Sequence, residues 1–246
     1  MNPPIIDTHV HLDQILHPEE AILEARKAGV SGLVAVGVDI FSNEKILHFA
    51  GQYPGVIFPA IGYHPWNISI SGIRSNLDFI ENHLNQVVAI GEVGLDFKCP
   101  TPKEIQLGVF EEVLEMAGKA DKPLIIHSRL AFEETFEMVR KQALKKVVFH
   151  WYSGPLNILK ELLLSGYYIS ATPALLYSPK HREAVAAAPL KQILVETDAP
   201  ETYQGVVSAP VQVLQTLEEL SKIKGIDVEE TAMKTTQNAR DFFGIV

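Results

Sequence analysis

The sequence predicts a (β/α)8 TIM barrel built as a single domain over residues 1–246. Three observations predict it. Eight short apolar runs, each followed by a helix-length stretch, recur every roughly 25–35 residues, the rhythm of strand and crossover helix in a parallel sheet. The runs are almost continuously apolar, as expected of strands covered on both faces. The length of 246 residues suits one such barrel. The competing open doubly wound sheet would carry Gly-x-Gly-x-x-Gly after an early strand, and that motif is absent.

The first strand lies within residues 5–13 and runs out into a polar end, Asp7-Thr8-His9-Val10-His11. A polar helix over 19–28 follows and stops at Gly29. The second strand, 32–38, leads to a helix over 43–52. The third, 56–65, ends in Gly62-Tyr63-His64-Pro65 and leads to a helix over 71–84. The fourth, 87–96, ends in Gly91-Glu92-Val93-Gly94-Leu95-Asp96. A turn rich in proline and charge then leads to a long helix over 103–120. The fifth strand, 122–127, ends on His127, with a helix over 132–142 behind it. The sixth, 146–150, ends on His150 and precedes a helix over 156–165. The seventh, 166–171, precedes a helix over 178–187. The eighth, 192–198, ends in Glu196-Thr197-Asp198, and helices over 210–222 and 228–243 finish the chain.

Hydrophobic residues make up 47% of the chain and charged residues 21%, an ordinary globular balance, with a formal net charge of −9. Nucleic-acid affinity leans on Lys and Arg neutralising phosphates, so this charge argues against broad polyanion binding. It leaves room for a phosphoester substrate, because bound divalent cations would offset the charge locally. The single cysteine, Cys99, cannot close an internal disulfide, which suits a reducing compartment. Between Lys98 and Pro100 it reads as a passive thiol. Met1-Asn2-Pro3-Pro4 lacks a basic region before an apolar core, and no apolar run reaches membrane-spanning length. The expected location is the cytoplasm, with no membrane partner.

In a barrel the C-terminal strand ends face one mouth, where active sites lie. Those ends carry His9 and His11, Glu92, His127, His150 and Asp198. Alternation along the first strand puts Asp7, His9 and His11 on one face. Four imidazoles and two carboxylates suffice for two divalent ions, Zn, Mg or Mn by donor type. Glu92 is the expected bridge, with His9, His11 and Asp198 on one ion and His127 and His150 on the other. Glu92 is also hard to place otherwise, because an unpaired buried carboxylate is costly. Glu196, one layer deeper than Asp198, is expected to orient a ligand or a neighbouring histidine, and Asp7 to act from behind in the same way. Asp96 does the same or caps its loop.

His64 faces the mouth and either binds substrate or holds the Tyr-His-Pro turn. Arg129 either meets a phosphate in a bidentate contact or makes a salt bridge at the rim. Trp151 and Tyr152, just past His150, are candidates to stack on a base or sugar. His17, His48, His83 and His181 fall in polar or helical segments and are expected at the surface.

Read together, Asp7-Thr8-His9-Val10-His11-Leu12, Gly62-Tyr63-His64-Pro65, the Gly91–Asp96 block, Ile126-His127-Ser128-Arg129, His150-Trp151-Tyr152-Ser153-Gly154 and Glu196-Thr197-Asp198-Ala199-Pro200 resemble, in order, the signature segments of the TatD family of metal-dependent deoxyribonucleases. The tail 236–244 resembles that family's closing helix. The resemblance covers essentially the whole chain and is most specific at the Gly-Glu-x-Gly-Leu-Asp and Glu-Thr-Asp blocks. It implies an amidohydrolase-like barrel, a two-metal centre with the same six ligands, and hydrolysis of DNA phosphodiesters. The chain departs from the pattern at Trp66, at Leu130 and across Phe97-Lys98-Cys99-Pro100, all positions around the substrate.

The expected reaction is metal-assisted hydrolysis, with Asp198 and Glu92 as catalytic groups and Asp198 as general base. Arg129 and His64 are expected on the phosphate, and Phe97, Trp151 and Tyr152 on a base. DNA or another phosphoester is the expected partner. Two rivals stand beside this: a hydrolase of the same barrel type acting on a different ester, lactone or amide, and a metal-binding scaffold without turnover. Relatives that bridge their ions with a carboxylated lysine would need Lys at the fourth or fifth strand end, where this chain has Glu92 and His127.

Overall fold

The computed structural model describes residues 3–246. Met1 and Asn2, part of the N-terminal run read above as lacking a leader, lie outside the described residues. Eight parallel strands lie side by side in sequence order: β1 (Ile5–Val10), β2 (Val30–Val36), β3 (Ile57–Ile61), β4 (Ala89–Asp96), β5 (Leu124–Arg129), β6 (Val147–Phe149), β7 (Tyr168–Ala171) and β8 (Ile193–Val195). Helices α1 (Pro18–Lys27), α2 (Ile40–Gln52), α3 (Ile73–His83), α4 (Lys103–Ala120), α5 (Phe132–Lys141), α6 (Leu156–Leu164), α7 (Pro179–Ala187) and α8 (Val213–Lys224) follow the strands in turn, and α9 (Val228–Phe243) ends the chain. This is the expected (β/α)8 barrel.

The ring closes just beyond β8. The Asp198 N–H donates to the His9 carbonyl at 2.9 Å, and the His11 N–H donates to the Ala199 carbonyl at 2.7 Å. Asp7 reinforces the seam by accepting the Thr197 N–H at 3.0 Å and the Thr197 hydroxyl.

Two apolar layers hold the barrel. Outward-facing strand residues such as Leu33, Ile90, Val93 and Phe149 pack against the helices in one core. Inside, Ile6, Val34, Val36, Ala60, Ala89, Ile125, Val148 and Leu194 form a second core. Phe242, Phe243 and Ile245, from the end of α9 and the residues after it, pack against this inner layer. The mouth end, by contrast, is polar.

Two strands break the simple alternation. The pairing of β1 with β2 slips between Asp7 and Val10, and that of β4 with β5 slips between Ile90 and Val93. The slip in β4 lets Ile90 and Val93 both pack outward while Glu92 turns to the mouth. Such irregularities re-aim side chains next to active sites. The slip in β1 corrects the expectation for Asp7: it does not share the face of His9 and His11 but faces Thr197.

Glycines permit the close packing around β4. A Cβ on Gly62 would meet the Glu92 carbonyl oxygen at 2.4 Å, and one on Gly94, where φ is +141°, would meet that of His127 at 2.0 Å. The blocks Gly62-Tyr63 and Gly91–Asp96 are therefore as much about letting β3, β4 and β5 approach as about chemistry. The sequence reading missed a small hairpin, β9 (Thr202–Tyr203) and β10 (Val206–Val207), which follows β8.

Candidate metal centre

The barrel mouth opens into a cavity of about 840 Å³. His11, Glu92, His127, His150 and Asp198 all line it, and His9 is buried directly behind His11. The two oxygens of Glu92 face different histidines. Oε2 lies 3.3 Å from His9 Nε2 and 3.4 Å from His11 Nε2. Oε1 lies 2.8 Å from His127 Nδ1, 2.8 Å from His150 Nε2 and 3.4 Å from His64 Nε2. Asp198 Oδ1 joins the first group, 3.5 Å from His9 Nε2 and 3.4 Å from His11 Nε2.

The outer nitrogens decide which ring atoms face inward. The Val36 carbonyl sits 2.9 Å from His11 Nδ1 and takes its proton, which leaves Nε2 as a lone pair toward Glu92 and Asp198. Glu196 Oε1 stands 3.3 Å from His150 Nδ1, which leaves Nε2 toward Glu92. Asp96 Oδ2 stands 3.1 Å from His127 Nε2, which leaves Nδ1 toward Glu92. A neutral imidazole has a single N–H. Each of these three rings therefore turns a lone pair on a carboxylate oxygen, an opposition that a shared cation or an added proton resolves. The donor set, mixed N and O, fits divalent ions. Three groups of donor atoms lie close enough together to hold one ion: His9, His11 and Glu92; His9, His150 and Asp198; and His64, Glu92 and His127.

The charges are mutually supporting. Burial pushes the Glu92 carboxyl up, but His150, His64, His11 and His127 outweigh it and hold it well below the ordinary range. Asp198 is held down in the same manner, mainly by His11 and His9. Burial pushes the His11 imidazole down, yet Asp198 and Glu92 raise it to about 10. Glu92 and Asp198 are thus held anionic where the imidazoles converge. Perturbed groups of this kind gather at functional sites.

Backbone geometry marks the same rim. Leu130, Trp151 and Asp198, just past β5, β6 and β8, have φ of 56°, 43° and 52°. Non-glycine residues adopt this region at a cost of about 1–3 kcal/mol each, and they cluster at active sites. At Trp151 the turn is pinned by its N–H, which donates to Ser170 Oγ at 2.8 Å and to Glu196 Oε1 at 3.2 Å.

Several expectations change. The sixth-strand turn sends Trp151 into the cavity wall and Tyr152 into the core, where it is 1% exposed and its hydroxyl donates to the Pro155 carbonyl at 2.8 Å. Tyr152 cannot stack on a substrate. Phe97 packs against the core under the Lys103 ammonium, 3.9 Å from the ring centre, and does not line the cavity. His64 stands within reach of Glu92 as well as on the cavity wall. Arg129 is exposed on that wall and, among the described residues, makes no ion pair, so the rim salt bridge is not formed. His181 is fully buried, not at the surface. Asp96 both faces His127 and caps its loop, accepting the Lys98 N–H at 2.8 Å.

The family model described as TatD related DNase matches residues 6–244. The chain belongs to the TatD family. Among its TatD relatives, a human protein named deoxyribonuclease TATDN3 is 31% identical over 97% of this chain and 94% of its own length. A Bacillus subtilis protein named as an uncharacterized metal-dependent hydrolase, YabD, is 30% identical over 98% of this chain and 99% of its own. The crystal structure of YJJV, a TatD homolog from Escherichia coli, superposes with a TM-score of 0.89 at 27% identity, covering 98% of both chains. The chain is accordingly a TatD-type metal-dependent hydrolase. No helix among the described residues is long and apolar enough to cross a membrane.

Proposed function

We propose that the protein hydrolyses DNA phosphodiester bonds with two divalent ions held on either side of Glu92. His9, His11 and Asp198 would hold one ion, and His127 and His150 the other, with His64 in reach of the second. The observation that carries this reading is the division of labour within Glu92, whose Oε2 faces one pair of imidazoles and whose Oε1 faces another set. Zn, Mg and Mn all suit the donors.

Divalent ions held by these residues would supply a lowered pKa for water and charge neutralisation at the phosphate oxygens. Asp198, anionic and on the cavity wall, accepts the proton of the attacking water. Arg129 meets the phosphate from the rim, and His64 meets it from beside Glu92. Trp151 offers its face to a base. Glu196 keeps His150 turned inward, and Asp7 keeps Asp198 beside His9 by way of Thr197. The deoxyribonuclease name of the human relative supports DNA as the substrate class. The single free cysteine supports a cytoplasmic site of action.

Trp66 and Leu130 make part of the cavity wall apolar, at 48% and 68% exposure, and favour one second reading, a more compact ester. The test is an assay of purified protein on short DNA oligonucleotides, beside a panel of lactones and amides, with and without chelator. Cleavage of DNA that stops with chelator and returns with added ion is expected. Turnover of a lactone or amide with DNA left intact would replace the reading.

A further inference from the structure

Trp66 makes a contact that the proposed chemistry does not use. It lies two residues past His64, in the short 3-10 turn Pro65–Asn67, with its ring half exposed on the cavity wall. The polar atom of that ring points inward and donates to Asp96 Oδ2 at 2.7 Å. The same oxygen receives His127 Nε2 at 3.1 Å. Asp96 is fully buried and cannot swing away. Its other oxygen accepts the Lys98 N–H, its own N–H donates to Gln106 Oε1 at 2.8 Å, and its carbonyl accepts from Gln106 Nε2 at 3.0 Å. An exposed tryptophan at a barrel mouth can offer a ligand both its face and its N–H. Here its N–H instead clamps the carboxylate that orients a ring of the metal centre.

We propose that Trp66 is a positioning residue for His127: acting through Asp96, its indole N–H fixes the imidazole with Nε2 protonated and Nδ1 bare toward Glu92. The proposal rests on the reading of His127 as a metal ligand. It gives Trp66 two separable parts, a ring face for substrate and an N–H for the metal centre. Partners behind a ligating histidine set its tautomer and orientation, and losing one commonly weakens metal binding.

The test separates the two parts. Trp66→Phe keeps a ring face and loses the N–H; Trp66→His keeps an N–H and loses much of the face; Trp66→Ala loses both. Mn2+ or Zn2+ titration by calorimetry reads the clamp without any substrate, and the split between KM and kcat reads the face. Trp66→Phe is expected to weaken uptake of one ion on the order of tenfold and to lower kcat while KM stays near the parent value. Trp66→His is expected to keep the parent ion affinity and raise KM. Asp96→Asn should weaken uptake of the same ion further; should that variant fail to fold, the half-exposed Trp66 series still decides. Parent-like ion binding and kcat in Trp66→Phe would overturn the proposal, as would Phe and Ala variants that both change KM alone. A parent protein that binds its ions but cleaves no DNA would instead overturn the proposed reaction and leave the clamp standing.

Discussion

Asp198 donates its backbone N–H to the carbonyl of His9 at 2.9 Å, so one of the two backbone bonds that close the barrel also sets two groups of the mouth side by side. Asp7 guards this seam from below by accepting the N–H and hydroxyl of Thr197. Burial pushes the Asp7 carboxyl up to about 8 against those bonds, so its place is costly and its partners matter. Asp7→Ala strands three buried donors, the His9 N–H and the Thr197 N–H and hydroxyl, and is expected to destabilise the fold by about 2–4 kcal/mol. Asp7→Asn keeps the shape and most of the bonding, and should cost less. Urea unfolding of both variants checks the order; equal stability of Asp7→Ala and parent would contradict it.

Replacing Glu92 by Gln keeps its volume but removes its charge and turns one of its two acceptor oxygens into an NH2 donor, so it can no longer bridge. The expected result is a folded protein, by circular dichroism, that loses at least one ion and about 10²–10⁴-fold in kcat. Near-parent activity would defeat the bridging assignment.

Arg129 is exposed and, among the described residues, makes no ion pair, so removing it should leave stability within about 0.5 kcal/mol of the parent. Its loss is expected to appear as a rise in KM for a phosphodiester, about tenfold, with ion uptake unchanged. Steady-state kinetics beside a thermal melt of Arg129→Ala test both halves. An unchanged KM would remove Arg129 from the phosphate.

His181 carries a pH dependence. It is buried, with Nδ1 2.8 Å from the Tyr152 carbonyl and Nε2 accepting the Thr172 N–H at 3.1 Å. Burial pushes its pKa down to about 4, while the Tyr152 bond and Glu196 pull upward and His150 downward. An unfolded histidine titrates near 6.5, so between these values the unfolded chain holds a proton that the native one lacks. The stability is fully present above about pH 6.5 and is lost as pH falls toward 4, by about 3 kcal/mol in all. His181→Asn should remove that share of the slope. Denaturant unfolding of parent and variant at several pH values reads the difference, and parallel curves would refute it.

The strands, the helices over 103–120 and 228–243, and the convergence of six ligand-type side chains were all legible in the sequence, because apolar runs and strand ends are local patterns. What was not legible depends on contacts between distant segments. Asp7 left the expected face because β1 slips against β2, a property of the pair and not of either strand. Tyr152 left the expected rim while Trp151 stayed on it, through a positive φ at Trp151 held by Ser170 in β7 and Glu196 just past β8. His181 sits in a stretch that looks like a surface helix, and only packing under Thr172 and Tyr152 buries it. Strands of two residues, as in the hairpin after β8, are too short for any periodicity to register.

The most direct measurement is anomalous diffraction from crystals of the protein loaded with Mn2+. Two peaks are predicted, one on the His9 and His11 side of Glu92 and one on the His127 and His150 side, each within bonding distance of a different Glu92 oxygen. A single peak, or peaks that leave Glu92 uncoordinated, would contradict the account.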